Sequence, residues 1–369
     1  MRICHITTVH QRYDIRIFWK QCVSAAKAGH EVVLLVNDEL KDEYVHGVKI
    51  VSMNRQSRGR IARVLSVGNR LRIFQEAKEL NADVYQIHDP ELLGLALNLK
   101  KCGFVVVYDS HEDVPRQILT KEWLPSFARP LVSRVFEYYE NRVSRDLDGV
   151  IAPTPHIKER FGVINKNVWE VCNFPSLDEI QYSGHEYSNQ NPTCYVGGLS
   201  VTRGIRQIAE ATRKAGVELH LCGQFISKGL EDELRKYDHV TYFGSLGRPE
   251  VARFLVGASM GFVTLLNTPN DSMAYPIKLF EYMAAGLPVI ASDFPVYKRI
   301  VEGYGCGICV NPLDVDAIAE AIIRIRNDSA FADELRKNGR KAITEAFNWE
   351  SQARKLMDCY GALAKRSKG

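Results

Sequence analysis

Short runs of β-branched and aliphatic residues alternate with amphipathic stretches along this chain, and the alternation stops once and then begins afresh. Strand-like runs fall at residues 3–9, 31–36, 48–53, 83–88, 104–109, 149–153 and 168–172, with helical periodicity at 17–28, 61–81 and 131–147 between them. Such alternation calls for parallel strands joined by crossover helices, since a parallel pair cannot be closed by a tight turn. Residues 176–192 are rich in Ser, Asn, Gln, Tyr and acids and poor in aliphatics, which marks a linker. The pattern resumes with strand-like runs at 193–196, 217–222, 240–243, 261–265, 288–292 and 307–310. A last stretch, 349–364, places Ala353, Leu356, Met357, Tyr360 and Leu363 on a helical period. The expected fold is therefore α/β, with two Rossmann-like doubly wound domains, 1–175 and 193–346, a linker at 176–192 and a closing helix within 347–369. Ligands in such sheets bind outside the carboxyl ends of the strands, so two of them facing each other would enclose a central cleft.

Composition narrows the classes. With 46% apolar and 25% charged residues the chain reads as soluble and globular, and no apolar run reaches the roughly 18–20 residues of a membrane span. Its start goes straight into the strand-like Ile3-Cys-His-Ile-Thr-Thr-Val9 without a basic and greasy leader, so a cytoplasmic location is expected. Nine scattered cysteines suit reduced thiols. The one CxxC, Cys306-Gly-Ile-Cys309, lacks a second ligand pair and reads as structural. The +4 net charge is uneven: residues 1–175 hold 25 Lys and Arg against 21 Asp and Glu, and the rest hold 23 of each. Residues 44–75 carry seven bases (Lys49, Arg55, Arg58, Arg60, Arg63, Arg70 and Arg72) and no acid. That field attracts a polyanion, whether nucleic acid, a phosphorylated substrate or an anionic membrane, or it is only a solvated helix face. Few aromatics interleave with the bases and no recognition motif follows them, so nucleic acid is not an expected partner.

Two motifs in the second half suit an anionic ligand. In Tyr195-Val-Gly-Gly-Leu-Ser-Val-Thr-Arg-Gly204 a strand runs into Gly197 and Gly198, and a helix is expected after Thr202. Glycines let a phosphate approach the backbone, a helix start offers free N–H groups, and Arg203 adds a fork of donors. The pattern is neither a Walker loop nor GxGxxG, and a tight turn with a surface arginine is the plain alternative. In Pro276-Ile-Lys-Leu-Phe-Glu-Tyr-Met-Ala-Ala-Gly286, Pro276 suits the first helical position and Gly286 the end. Leu279 with Met283, and Phe280 with Ala284, can face a core, while Lys278 and Glu281 share the other side. There lysine would neutralise a phosphate and glutamate would accept from vicinal hydroxyls; the alternative is a simple ion pair three residues apart.

The first half carries two strand-end clusters, Gln86-Ile-His-Asp-Pro-Glu91 and Val107-Tyr-Asp-Ser-His-Glu-Asp113. His88, Asp89, Glu91 and His111 would thus lie along the edge of a parallel sheet. The loop His10-Gln-Arg-Tyr-Asp-Ile-Arg16 follows the first strand and faces the same edge, which makes His10, Asp14 and Arg16 candidate acceptor or interdomain contacts.

Taken in order, Tyr195-Val-Gly-Gly-Leu with Arg203-Gly, then Tyr242-Phe-Gly-Ser-Leu246, then residues 276–292 resemble the family-four retaining glycosyltransferases, whose fold is called GT-B. The resemblance covers nearly the whole chain, and the Asp14-Ile-Arg-Ile-Phe18 run is similar to the bacterial surface-polysaccharide members. It implies that the final helix crosses back onto the first domain. It also implies a nucleoside-diphosphate sugar held by Gly197, Gly198, Arg203, Gly223, Tyr242, Gly244, Leu246, Pro276, Lys278 and Glu281. Arg203 and Glu281 would take the diphosphate and ribose, and His111 would contact the transferred sugar. His111, Arg203 and Lys278 are the expected catalytic residues, and His10, Asp14, Arg16, His88, Asp89 and Glu91 the acceptor contacts. The family often has Glu where Met273 stands, with Asp271 a possible substitute, and Arg where Gly198 stands. No metal or cofactor is expected, because cations and a helix N-terminus can carry the charge on the leaving phosphate.

The implied reaction moves a hexose or N-acetylhexosamine, by default from UDP, to a glycan acceptor in surface polysaccharide synthesis. Segments 58–74, with Arg58, Arg60, Arg63, Arg70 and Phe74, and 121–135, with Lys121, Trp123, Leu124, Phe127, Arg129, Leu131, Arg134 and Val135, mix basic and apolar groups. Such mixtures suit an anionic bilayer, which points to a lipid-diphosphate-linked acceptor and peripheral attachment to the inner membrane face. A non-hydrolysing sugar-nucleotide epimerase, or a nucleotide-sugar-binding module without catalysis, are the competing expectations.

Overall fold

In the computed structural model the described residues are 1–53, 67–121, 123–178, 187–227, 229–268 and 271–365. They fall into two compact units, Met1–Asn173 with Ser351–Gly369, and Phe174–Glu350.

The first unit is built on eight strands: β1 (Arg2–Thr7), β2 (Glu31–Val36), β3 (Glu43–Val45), β4 (Val48–Ser52), β5 (Val84–Ile87), β6 (Val105–Asp109), β7 (Gly149–Ala152) and β8 (Val168–Glu170). They lie in the order β3-β4-β2-β1-β5-β6-β7-β8, and only β3 runs antiparallel to its neighbour. Helices cover both faces of a sheet so wound, so its strands can be apolar without alternation; five of the six residues of β2, Glu-Val-Val-Leu-Leu-Val, are buried. Strand order reverses between β1 and β5, the point where such sheets leave a crevice at their carboxyl edge.

The second unit repeats the design with β9 (Thr193–Val196), β10 (Leu219–Cys222), β11 (Val240–Tyr242), β12 (Gly261–Val263), β13 (Val289–Ser292) and β14 (Gly307–Val310). All pair in parallel, in the order β11-β10-β9-β12-β13-β14, with the reversal between β9 and β12. A core of Tyr195, Ile205, Ile208, Leu219, Leu221, Phe262 and Ile290 fills one side.

Three expectations are corrected. The short edge strand β3 had no expected counterpart. The first helix begins at Ile15 rather than 17, because the Asp14 carboxylate caps it by accepting from Ile17 N at 2.8 Å. Pro276, expected as the first helical residue, is the N-cap with φ −68° and ψ 122°, and the helix runs Ile277–Ala285 to a left-handed Gly286. All nine cysteines are free thiols, with Cys306 buried. The final helix, Trp349–Ala364, buries Leu356, Cys359, Tyr360 and Leu363, and from Ser351 onward the chain belongs to the first unit.

Candidate active site

The carboxyl edge of β1 and β5 gathers a dense polar cluster. Asp89, just past β5 and fully buried, receives the loop that follows β1: its Oδ2 accepts from the Thr8 amide, from Val9 N at 3.1 Å and from the Thr7 hydroxyl at 3.1 Å. His10 Nδ1 lies 2.9 Å from Asp89 Oδ1, and Glu91 accepts from the Thr8 hydroxyl at 2.7 Å. A buried carboxylate surrounded by donors stays ionised. Burial works against Asp89, yet His10 and the Thr8 amide bring it down to about 2. Burial likewise opposes a charge on His10, but the hydrogen bond and charge of Asp89 outweigh it and raise His10 above the ordinary imidazole value.

Next to it, Asp109 ends β6 with no solvent exposure. Arg16 Nη2 donates to its Oδ1 at 2.6 Å, and Gln21 and Gln86 donate to Oδ2 at 2.7 and 3.2 Å. Burial pushes this carboxyl up; Arg16 and then His111 more than offset it, and hold it well below the usual range. His88, brought down to about 4 by burial, sits between His5 and His111, with nitrogen separations of 2.9 and 3.0 Å. His111 is the member nearest solvent, its side chain 16% exposed, and its ring lies 4.5 Å from that of His10. The facing atoms of His88, Asp109 and His111 lie within 4.8 Å of one another, a spacing a divalent ion could use. Arg16 already pairs with the anion, however, and two glutamine amides donate to Asp109 Oδ2.

In the second unit Gly197, at φ 123°, follows β9, and Gly223, at φ 141°, follows β10. The two turns touch: a Cβ on Gly223 would lie 1.9 Å from the Gly197 carbonyl oxygen. Both positions therefore require glycine. Tyr242 donates to the Gly223 carbonyl at 2.8 Å, and Gly223 N to Gly244 O at 2.8 Å. Arg203 ends the short turn Val201–Arg203, after which Gly204 starts the helix Ile205–Ala215. Lys278, on the first turn of its helix, reaches back to the glycine turn. Its ammonium sits 3.0 Å from where a Gly197 Cβ would be, lies 3.7 Å from the Tyr195 ring centroid and donates to the Tyr195 hydroxyl. The result is a cation fixed over exposed backbone, the arrangement that suits a phosphate.

The outcome for the expected residues is mixed. Gly197, Gly223 and Lys278 are brought together. Leu246, partly buried, follows the Tyr242 and Gly244 pair. Glu281 is 5% exposed and its Oε1 accepts from Arg248 at 2.6 Å, so the simple pair with Lys278 does not form. Gly198 has the Ile226 side chain over it, 2.4 Å from a would-be Cβ, where an arginine would meet that chain end. Of the expected acceptor contacts, Asp14 caps the first helix, and Arg16 is a buried counter-ion to Asp109. His88 and Asp89 are likewise buried, in contact with His111 and His10. Met273 is 38% exposed; the Asp271 side chain lies outside the described residues. Sequence reasoning missed His5, Gln21, Gln86, Tyr360, Tyr195 as a lysine partner, and Arg248.

Of the two basic-apolar segments, residues 58–66 and the Arg70 side chain lie outside the described residues. In the other, Trp123, Phe127, Leu131 and Val135 are 66%, 86%, 67% and 61% exposed. No described helix is long and apolar enough to cross a membrane.

Comparison with known proteins agrees with the α/β fold. Residues 16–164 match the family model described as Glycosyltransferase Family 4, and residues 178–342 match that of Glycosyl transferases group 1. An MMP alpha-(1->4)-mannosyltransferase of Mycolicibacterium hassiacum is 24% identical over 295 residues, 74% of this chain and 69% of that protein. Among solved structures, sucrose-phosphate synthase of Thermosynechococcus elongatus superposes with a TM-score of 0.78 at 19% identity, over 98% of each chain. Anabaena HepE, solved with UDP and glucose, superposes at 0.74 and 14% identity, covering 98% of this chain and 100% of its own. At such identities the likeness is one of fold, the GT-B arrangement of two Rossmann-like units.

Proposed function

The chain belongs to the family-four glycosyltransferases, and on that premise we propose that it transfers a hexose or N-acetylhexosamine, with retention, from a nucleoside diphosphate to a glycan acceptor. The observation that carries the reading is the Lys278 ammonium set against the Gly197 turn at the reversal point of the second sheet. As the glycosidic bond breaks, negative charge grows on the leaving phosphate. Lys278, Arg203 and the N-terminus of helix Ile205–Ala215 stabilise it without a metal. Glu281 takes the ribose diol, exchanging its bond to Arg248 for the two hydroxyls.

In the first unit His111 contacts the transferred sugar. Asp89 and Asp109 are both tied into ion pairs and hydrogen bonds, so neither serves as a nucleophile, and same-side departure and attack accounts for retention. The nucleotide is read as UDP; the mannosyltransferase name of the Mycolicibacterium relative favours a second reading with a mannosyl donor. The acceptor is read as a lipid-diphosphate-linked glycan in surface polysaccharide synthesis, reached from the inner membrane face by the exposed Trp123, Phe127, Leu131 and Val135 among basic residues. A thermal-shift screen against UDP-, GDP- and ADP-sugars tests the proposal, since a ligand bound by folded protein alone raises Tm. One nucleotide class should stabilise the second unit. No shift with any of them would contradict the reading, and turnover of the donor without an acceptor would favour an epimerase.

A further inference from the structure

Three buried side chains, His88, His5 and Tyr360, lie in line behind His111, and their protons can be counted. Asp109 is the fixed point. Its Oδ2 is met by Gln21 Nε2 at 2.7 Å and Gln86 Nε2 at 3.2 Å. An ionised carboxylate only accepts, so both amides turn their NH2 groups toward it. Gln86 Oε1 then faces the other way, where the Tyr360 hydroxyl donates to it at 2.6 Å. A hydroxyl has one hydrogen, so toward His5 Nε2, 3.3 Å away, Tyr360 can only accept.

Burial holds His5 well below, and His88 at about 4, against an ordinary imidazole value, so each is neutral near pH 7 with one N–H and one lone pair. His5 donates from Nε2 to Tyr360 and is left with Nδ1 as acceptor. His88 must then donate from Nε2 across the 2.9 Å contact. Its Nδ1 is left as an acceptor, and the nitrogen opposite at 3.0 Å, His111 Nε2, must carry the hydrogen. The reverse order would turn His88 Nδ1–H toward His111 Nε2, but it would leave His5 Nε2 and the Tyr360 oxygen facing each other lone pair to lone pair in a fully buried place, a costly arrangement.

We infer that Tyr360, on the last helix, is a positioning residue that fixes His111 as the Nε2–H tautomer and leaves its Nδ1 lone pair for a hydroxyl of the sugar or acceptor. The role of the relay in turnover rests on the proposed contact between His111 and the reacting sugar. The tautomer itself does not.

Long-range proton–nitrogen NMR of the full chain, with nitrogen-15 histidine, reports which ring nitrogen is protonated. The His111 signals are identified by their loss in His111→Gln. The wild type should show His111 protonated at Nε2, and Tyr360→Phe should show a mixture of tautomers. In the same variant kcat should fall on the order of tenfold, the worth of one well-made hydrogen bond, with the donor KM unchanged. Protonation at Nδ1 in the wild type overturns the inference, and this spectrum decides it even if the variant fails to fold. An unchanged tautomer in a folded Tyr360→Phe also overturns it. A changed tautomer with unchanged kcat upholds the relay and refutes the contact of His111 with the sugar.

Discussion

Replacing Arg16 by Met removes the cation from a fully buried carboxylate while keeping most of the side-chain volume. Arg16 is 5% exposed and Asp109 has no exposure, and their 2.6 Å contact is reinforced by the bond from Arg16 Nη1 to Val171 O at 2.9 Å. Breaking such a pair on one side strands a buried charge, at a cost of about 3–5 kcal/mol. For a unit of this size that is a fall in Tm of roughly 6–20 °C. The pH dependence separates charge from packing. In the native protein the Asp109 pKa is depressed, so its stabilisation is present above the ordinary carboxylate value and is lost only as pH falls through the lower native one. Without Arg16 burial dominates and the carboxyl rises. The stability gap between wild type and Arg16→Met should therefore be widest at pH 7 and narrow toward about pH 4.5 as Asp109 takes up a proton. Differential scanning calorimetry across that range reads it, and Arg16→Met with Asp109→Asn should regain part of the loss. A gap that stays constant with pH would refute the charge argument and leave lost packing as the cause.

Three further outcomes follow from other contacts. His10 has a raised pKa, so its stabilising pair with Asp89 is complete below its unfolded value and fades as pH rises through the folded one; the Tm difference between wild type and His10→Gln should be larger at pH 6 than at pH 8.5. Gly223→Ala places a methyl against the Gly197 carbonyl at a backbone angle of 141°, so nucleotide-induced thermal stabilisation should vanish in the variant. Phe127→Ser with Leu131→Ser should abolish sedimentation with anionic liposomes while leaving Tm within about 1 °C, since both side chains face solvent.

Thirteen of the fourteen described strands were legible in the sequence, and the inner ones most plainly, because a parallel sheet buries both faces and so writes them as nearly unbroken aliphatic runs, as Glu31–Val36 does. The exception, Glu43–Val45, is a three-residue edge strand with no buried residue, and its pairing with β4 is set by the neighbour rather than by its own pattern. The glycine turn and Lys278 were legible because local motifs encode them. What lay hidden was the side of each strand end that its polar groups would face. Arg16 reads like any loop cation, and only the assembled sheet turns it toward Asp109, 93 residues on. Tyr360 fits a helical apolar period, and its hydroxyl finds Gln86 across 274 residues. Arg248 meets Glu281 across 33 with no pattern linking them.

Calorimetric titration of UDP and of uridine into the wild type and Lys278→Ala bears most directly on the claim that Lys278 and the Gly197 turn hold a diphosphate. Loss of one charge-assisted contact should weaken UDP by about 10- to 100-fold and leave uridine, which has no phosphate, unaffected. Equal UDP affinity in the two proteins, or an equal loss for both ligands, would contradict it.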